Sequence, residues 1–300
     1  KRKSIDRLQL DKNAKLTGRV YFKDEVMWLG LSGSGASFTF DGTKLILKLK
    51  GDNIAVGDNP IDYARIAVYV DGKRVVDEMI DCAEKEVMVI GRTESAKSVV
   101  EIIKLSESPM SAIGIEAFTE GSAEALPEKP LKIEFIGDSI TCGYGVDDED
   151  ENHQFTTATE DVTKAYAYKT AKALDAEYSM FSASGYGIVS GYTEGDEPIS
   201  EQTIPQFYCS YGFSRGNFTG TAPQDIPWDF SKYVPQIIVI NLGTNDDSYC
   251  RDHKDRQAVF SKLYADFLAV VREKNPQAYI LCTVGIMGER IFPAVEEGIK

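Results

Sequence analysis

The 300-residue sequence holds only 2 His and 2 Trp, and its 5 Cys form no CxxC pair. Cys82, Cys142, Cys209, Cys250 and Cys282 are odd in number and widely spaced, which indicates neither a disulfide framework nor a zinc site. Reduced thiols and a cytoplasmic setting are expected, with secretion after removal of a signal as the alternative. The start, Lys1-Arg2-Lys3-Ser4-Ile5-Asp6-Arg7, is basic but lacks the apolar stretch of an export signal, and no apolar run approaches membrane-spanning length. Positive charge is also scarce. Lys and Arg number 33 against 47 Asp and Glu, a formal charge of -14. Such a chain repels phosphodiester backbones and anionic bilayers, so neither nucleic acid nor membrane is expected as a partner, and an uncharged ligand is electrostatically easier.

What is present is a globular composition, 43% hydrophobic and 10% aromatic. At roughly 100–200 residues per domain the length predicts two domains. The first, residues 1–125, alternates in period two and reads as short strands, including 36–40, 45–49, 65–70, 74–79, 86–91 and 98–105. Asp71-Gly72 is its best hairpin signal, because glycine accepts the positive φ of a tight turn. Many short strands without long helices imply an all-β sandwich. Residues 120–130 are small, charged and proline-punctuated, as linkers are. The second domain, 126–300, has short apolar runs at 133–136, 178–182, 237–241 and 279–283, of the kind buried on both faces of a parallel sheet. Helical spacing over 160–174 and 258–274 lies between them, with Asn275-Pro276 as a stop. The pattern predicts a three-layer α/β/α domain with ligands at the carboxyl ends of the strands.

Three of those strands run into polar loops containing glycine: Gly137-Asp138-Ser139-Ile140-Thr141 with Gly143 and Gly145, Ser182-Ala183-Ser184-Gly185-Tyr186-Gly187, and Gly243-Thr244-Asn245-Asp246. Phosphate cradles fail on residue types. Neither Gly143-Tyr144-Gly145 nor Gly185-Tyr186-Gly187 has the third glycine of GxGxxG, and no Gly-Lys-Ser/Thr follows. The GxSxG elbow is absent around Ser139. A serine at a strand's carboxyl end, opening toward a helix N-terminus, is exposed to substrate and near N–H dipoles that favour developing negative charge. Ser139 is therefore the candidate nucleophile. Asp138 and Asp246 read as braces for their turns, and Cys142 as a small packing residue.

The three loops together resemble the first three blocks of the SGNH (GDSL-like) hydrolase superfamily. The preceding sandwich, the Gly185-Tyr186-Gly187 block and Pro227-Trp228-Asp229-Phe230 resemble carbohydrate esterase family 2, the bimodular sugar acetylesterases. The resemblance implies a jelly-roll-like sandwich followed by a flavodoxin-like parallel sheet. It further implies removal of O-acetyl groups from glycans such as acetylated xylan or mannan through an acetyl-Ser139 intermediate, with no metal or organic cofactor. The implied oxyanion donors are the N–H groups of Ser139 and Gly185 and the side-chain amide of Asn245. Trp228 and Tyr186 are expected at the substrate. The sandwich is expected to support the scaffold more than to bind glycan. Two other readings stay open: an SGNH esterase acting on a non-sugar acyl ester, and a carbohydrate-binding protein with a non-catalytic hydrolase-like domain.

The family's general-base histidine, in a DxxH segment after the third block, does not occur within residues 1–300. Asp150-Glu151-Asn152-His153 fits the letters but precedes the other two blocks, and His253 has Cys250 rather than Asp three residues earlier. The expectation is that this histidine, a fifth strand and a closing helix lie beyond Lys300. Asn245→Ala is predicted to lower kcat on an aryl acetate by about 10²–10³, the usual effect of losing one oxyanion donor; parent turnover in that variant would remove Asn245 from the hole.

Overall fold

A computed structural model describes residues 5–218 and 220–300. The period-two half forms an antiparallel sheet of β1 (Asp6–Leu8), β2 (Lys15–Thr17), β3 (Val20–Lys23), β4 (Val26–Leu29), β5 (Gly35–Gly51), β6 (Ala64–Val70), β7 (Lys73–Ile80), β8 (Glu84–Lys104) and β9 (Ile113–Ala125). The order is β3-β4-β9-β5-β8-β6-β7, with β1 added to β9 and β2 to β5. Phe38, Phe40, Leu45, Leu47 and Leu49 of β5 point inward and are fully buried, packed with Ile66, Val68, Val100, Ile102 and Ile115. Two predicted pairs of strands prove continuous. Residues 36–49 form one strand and 86–105 most of another, because Gly42 is a register irregularity rather than a break. An irregularity of this kind bends a strand without ending it. Asp71 and Gly72 close the β6–β7 hairpin with φ of 51° and 79°.

The second half forms a parallel sheet of β10 (Lys132–Gly137), β11 (Glu177–Ser182), β12 (Ile237–Asn241) and β13 (Tyr279–Thr283), in the order β11-β10-β12-β13. The helices are α1 (Leu10–Asn13), α2 (Ser139–Cys142), α3 (Tyr166–Ala173), α4 (Thr244–Cys250), α5 (Lys254–Lys274) and α6 (Phe292–Ile299). Alternate residues of β10 face different layers: Ile136 joins Phe181, Ile240, Phe260 and Phe267, whereas Ile133 and Phe135 join Ala167, Ala171 and Met180. The helix expected over 160–174 begins only at Tyr166. Asp161 instead caps a short 3₁₀ turn by accepting from Thr163 N–H, and pairs with Arg74 at 2.8 Å, while Glu160 is drawn into the interior. β13 is the outer strand, with Tyr279 80% and Leu281 58% exposed.

The two sheets meet over buried charge. Arg19, fully buried, lies between β2 and β3 and reaches Glu134 of β10 at 3.3 Å. Its guanidinium also donates to the Tyr208 and Ser210 carbonyls and sits 4.4 Å from the Phe181 ring and 5.2 Å from the Trp228 ring. Glu134 in turn accepts from the Tyr208 hydroxyl at 2.7 Å. Burial pushes the Arg19 pKa down, against the pull of Glu134, so the pair stands on its hydrogen bonds. Arg19→Met, which leaves Glu134 buried without its cation, is predicted to lower the unfolding free energy by about 3–5 kcal/mol. Adding Glu134→Gln should recover part of the loss in urea denaturation, whereas strictly additive losses would contradict a coupled pair.

Candidate active site

The carboxyl edge of the parallel sheet gathers the three polar loops. Gly137 and Ser182 are register partners, as are Gly137 and Asn241, so the chain leaves β10, β11 and β12 at one level. Ser139 is half-buried and opens α2, where the first N–H groups of a helix have no partner within it. Asp138 caps that turn, its carboxylate accepting from Ile140 N–H at 3.0 Å. No described residue hydrogen-bonds the Ser139 hydroxyl.

The loop after β11 is tied down almost atom by atom. Ser184 N–H donates to Glu107 at 3.0 Å, Tyr186 N–H to the Ala183 carbonyl, and Gly187 N–H to the Gln202 carbonyl. Asp246, fully buried in α4, accepts from the N–H groups of Ile188, Val189 and Ser190. Gly185 N–H alone in residues 183–190 has no acceptor among the described residues. Gly185 has φ +80°, and a Cβ there would have nothing nearer than Gln202 Oε1 at 4.0 Å. The backbone supplies the reason for glycine here, since L side chains disfavour that φ. Gly187 is required differently, because its Cβ would collide with the Ser190 carbonyl and the Asp246 carboxylate.

Asn245 joins the loops. Its side-chain amide donates to the Tyr186 carbonyl at 2.8 Å and lies 3.4 Å from Asp138 Oδ2, so it bridges the neighbours of Gly185 and Ser139. Tyr186 packs its ring against Phe213 and Phe207, beside a 90 Å³ cavity lined also by Pro109 and Arg215.

Trp228 is not brought to this edge. It shares a 590 Å³ groove with Tyr21, Lys232 and Tyr233, and the Tyr233 hydroxyl donates to the Ile133 carbonyl. Ile133 lies six residues before Ser139, roughly 20 Å at the rise of a strand. The expectation of Trp228 beside Ser139 is corrected on a topological ground: residues 227–230 lead into β12, and a chain enters a parallel strand at its amino end.

Other aromatics occupy the edge instead, and the sequence reading missed them. Tyr144, 49% exposed, stacks on Phe155 at 4.1 Å, and its N–H donates to the Ser139 carbonyl. Tyr192, 55% exposed, donates its N–H to the Gly185 carbonyl. Their signal was an aromatic within two residues of a loop glycine, Gly143 and Gly191. Neither histidine stands there. His153 is exposed and lies 2.9 Å from Asp148, and His253 is exposed just ahead of α5.

Behind the edge, Glu107, Cys142 and Glu160 are fully buried with potential ligand atoms within 4.8 Å of one another. The donor set is a poor one for a cation. Burial pushes the Glu160 and Cys142 pKa values well up, the Cys142 thiol already donates to Ser182, Glu107 accepts from Ser184, and the Lys104 ammonium supplies positive charge nearby. The cluster holds protons.

The chain belongs to the GDSL-like Lipase/Acylhydrolase family, matched over residues 135–298. Residues 16–130 match the carbohydrate esterase 2 N-terminal domain, and the structural neighbours include family 2 carbohydrate esterases. Among curated relatives, cellulase/esterase CelE of Acetivibrio thermocellus is 34% identical over 85% of this chain and 29% of its own length. An acetylxylan esterase / glucomannan deacetylase of Cellvibrio japonicus is 29% identical over 92% of this chain and 72% of its own. The chain thus spans under a third of CelE. In structure it is similar to a family two carbohydrate esterase from Clostridium thermocellum in complex with cellohexaose, with TM-score 0.79 and 28% identity over 95% of this chain and 83% of that one. The fold is also that of an acetyl xylan esterase, Est2A, from the rumen bacterium Butyrivibrio proteoclasticus, with TM-score 0.86 and 22% identity over 98% and 85%.

Burial pushes the Asp138 carboxyl up to about 7 and Asp246 up to about 6, with their mutual repulsion adding to the Asp138 shift. Both are raised acids, so the folded chain holds protons that the unfolded chain has released. Their contribution is fully present below about pH 4 and is lost as pH rises through 6 and 7. Between pH 5 and 8 the melting temperature should therefore fall, and Asp138→Asn should flatten the decline; an unchanged slope in that variant would mean the Asp138 charge is not suppressed.

Proposed function

We propose that this protein is a serine carbohydrate acetylesterase that removes O-acetyl groups from glycans such as acetylated xylan or mannan. The single observation that carries the reading is the Asn245 amide bridging from Asp138, beside Ser139, to Tyr186, beside the unpartnered N–H of Gly185. Ser139 Oγ attacks the acetyl carbonyl, and the oxyanion is received by the N–H groups of Ser139 and Gly185 and by the Asn245 amide. Of the two Asn245 contacts, the 3.4 Å one to Asp138 is the weaker and the one an oxyanion displaces. Near neutral pH the Asp138 carboxyl is close to half-protonated, which limits the negative charge beside the hole. Collapse of the intermediate expels the sugar hydroxyl and leaves acetyl-Ser139, which water hydrolyses.

Neither His153, exposed and 2.9 Å from Asp148, nor His253, exposed ahead of α5, hydrogen-bonds Ser139, and neither is read as the base that takes its proton. A 440 Å³ cavity lined by Val284, Gly285, Ile286 and Phe292 adjoins α2, since Gly285 packs directly on Ile140. Tyr144 with Phe155, Tyr192 and Tyr186 offer the ring faces on which sugars stack. Similarity to the acetylxylan esterase / glucomannan deacetylase of Cellvibrio japonicus and to the Clostridium thermocellum esterase in complex with cellohexaose supports a glycan substrate. We divide the chain at 125/126 and read residues 1–125 as a jelly-roll-like sandwich that serves as scaffold. Free thiols at all five cysteines fit a reducing, cytoplasmic setting.

Acetate release by the full-length protein from acetylated xylan, acetylated mannan and an aryl acetate tests the reading. Ser139→Ala should lower all three by at least about 10³. Turnover of the aryl acetate alone, with both glycans untouched, would keep the nucleophile and overturn the glycan assignment.

A further inference from the structure

Glu107 lies between β8 and β9, in the antiparallel half, yet its side chain serves the catalytic edge. It is fully buried, and its two carboxylate oxygens take the two donors of Ser184: the N–H at 3.0 Å and the hydroxyl in a short bond. The next residue is Gly185, whose carbonyl is held by Tyr192 N–H at 2.8 Å and whose own N–H has no acceptor among the described residues. We propose that Glu107 is a positioning residue: by fixing Ser184 it sets the peptide plane that aims Gly185 N–H at the reacting acyl oxygen. The inference rests on the reading of Ser139 and Gly185 given above.

Burial pushes the Glu107 pKa up, and the two Ser184 donors, Glu160 and Lys104 pull against that shift, toward the carboxylate. Lys104 Nζ donates to the Glu107 backbone carbonyl at 3.1 Å and to Ser106 at 2.7 Å, and is buried beside the carboxyl group. Desolvation pushes this ammonium down to about 8, which leaves it charged near neutral pH and able to offset one anion. Glu160 faces Glu107, and no N–H or O–H reaches either of its oxygens. A bare carboxylate there would be costly, so Glu160 is the neutral acid, with an O–H to donate to Glu107. One cation, one carboxylate and one neutral acid make the cluster close to electroneutral. A purely structural carboxylate would not need to end on the residue preceding Gly185.

Kinetics on an aryl acetate with the full-length protein decide the matter. Glu107→Gln removes the acceptor for the Ser184 hydroxyl, and Ser184→Ala removes the hydroxyl itself. Both should lower kcat, by about 10- to 100-fold for the first and about tenfold for the second, with KM within about twofold, because a misaimed donor is missed only in the transition state. The double variant should be no slower than Glu107→Gln alone. Glu134→Gln, which weakens the junction toward the other end of β10, should cost stability and leave kcat at the parent value. Parent kcat in Glu107→Gln, a change confined to KM, or an equal loss of kcat in Glu134→Gln would each overturn the positioning role. Should Glu107→Gln not fold, parent kcat in Ser184→Ala does the same. Full activity in Ser139→Ala would instead bring down the nucleophile reading, and the role of Glu107 with it.

Discussion

The catalytic edge depends on buried carboxylates saturating backbone N–H groups. Asp246 takes three consecutive amides, Glu107 takes Ser184, and Asp138 takes Ile140. A loop without helix or ladder finds only a few acceptors among backbone carbonyls, here those of Ala183 and Gln202, and an unpaired buried N–H is expensive. The acids do not come free of cost, since burial raises the pKa of Asp138, Asp246 and Glu107. What results is a loop with a defined shape in which, over residues 183–190, only Gly185 N–H lacks an acceptor among the described residues.

The same logic operates between the sheets. Arg19–Glu134 lies toward the amino end of β10, and the Lys104–Glu107–Glu160 group toward its carboxyl end. An apolar junction tolerates sliding. A buried ion cannot slide, because a displaced carboxylate loses its donors while remaining out of water. The antiparallel half is thereby held in one orientation on the parallel sheet.

Sequence patterns were legible where one physical requirement dominated. Runs such as Ile237–Asn241 are apolar because both faces of the strand are covered, and Asp71-Gly72 closes a hairpin because two positive φ angles are needed. Gly42 misled, since a glycine at a bulge and a glycine at a turn look alike in one dimension. Glu160 misled too: helical spacing placed it at a helix start, and the interior claimed it. Glu107 carried no signal at all, a single acid in Ser106-Glu107-Ser108 whose partner lies 77 positions later. Trp228 was a failure of direction rather than of residue type. The loop before a parallel strand lies at the opposite edge from the loop after it.

Arg19 also has a bearing on the order of assembly. Its partners are separated from it by 115 residues at Glu134 and by 189 and 191 at Tyr208 and Ser210. During synthesis the strand that carries it is made long before its pocket exists, and the ordering entropy of that long loop is spent before the contact repays it. Its burial therefore closes one of the longest loops in the chain, a contact that cannot form until the parallel sheet has been made.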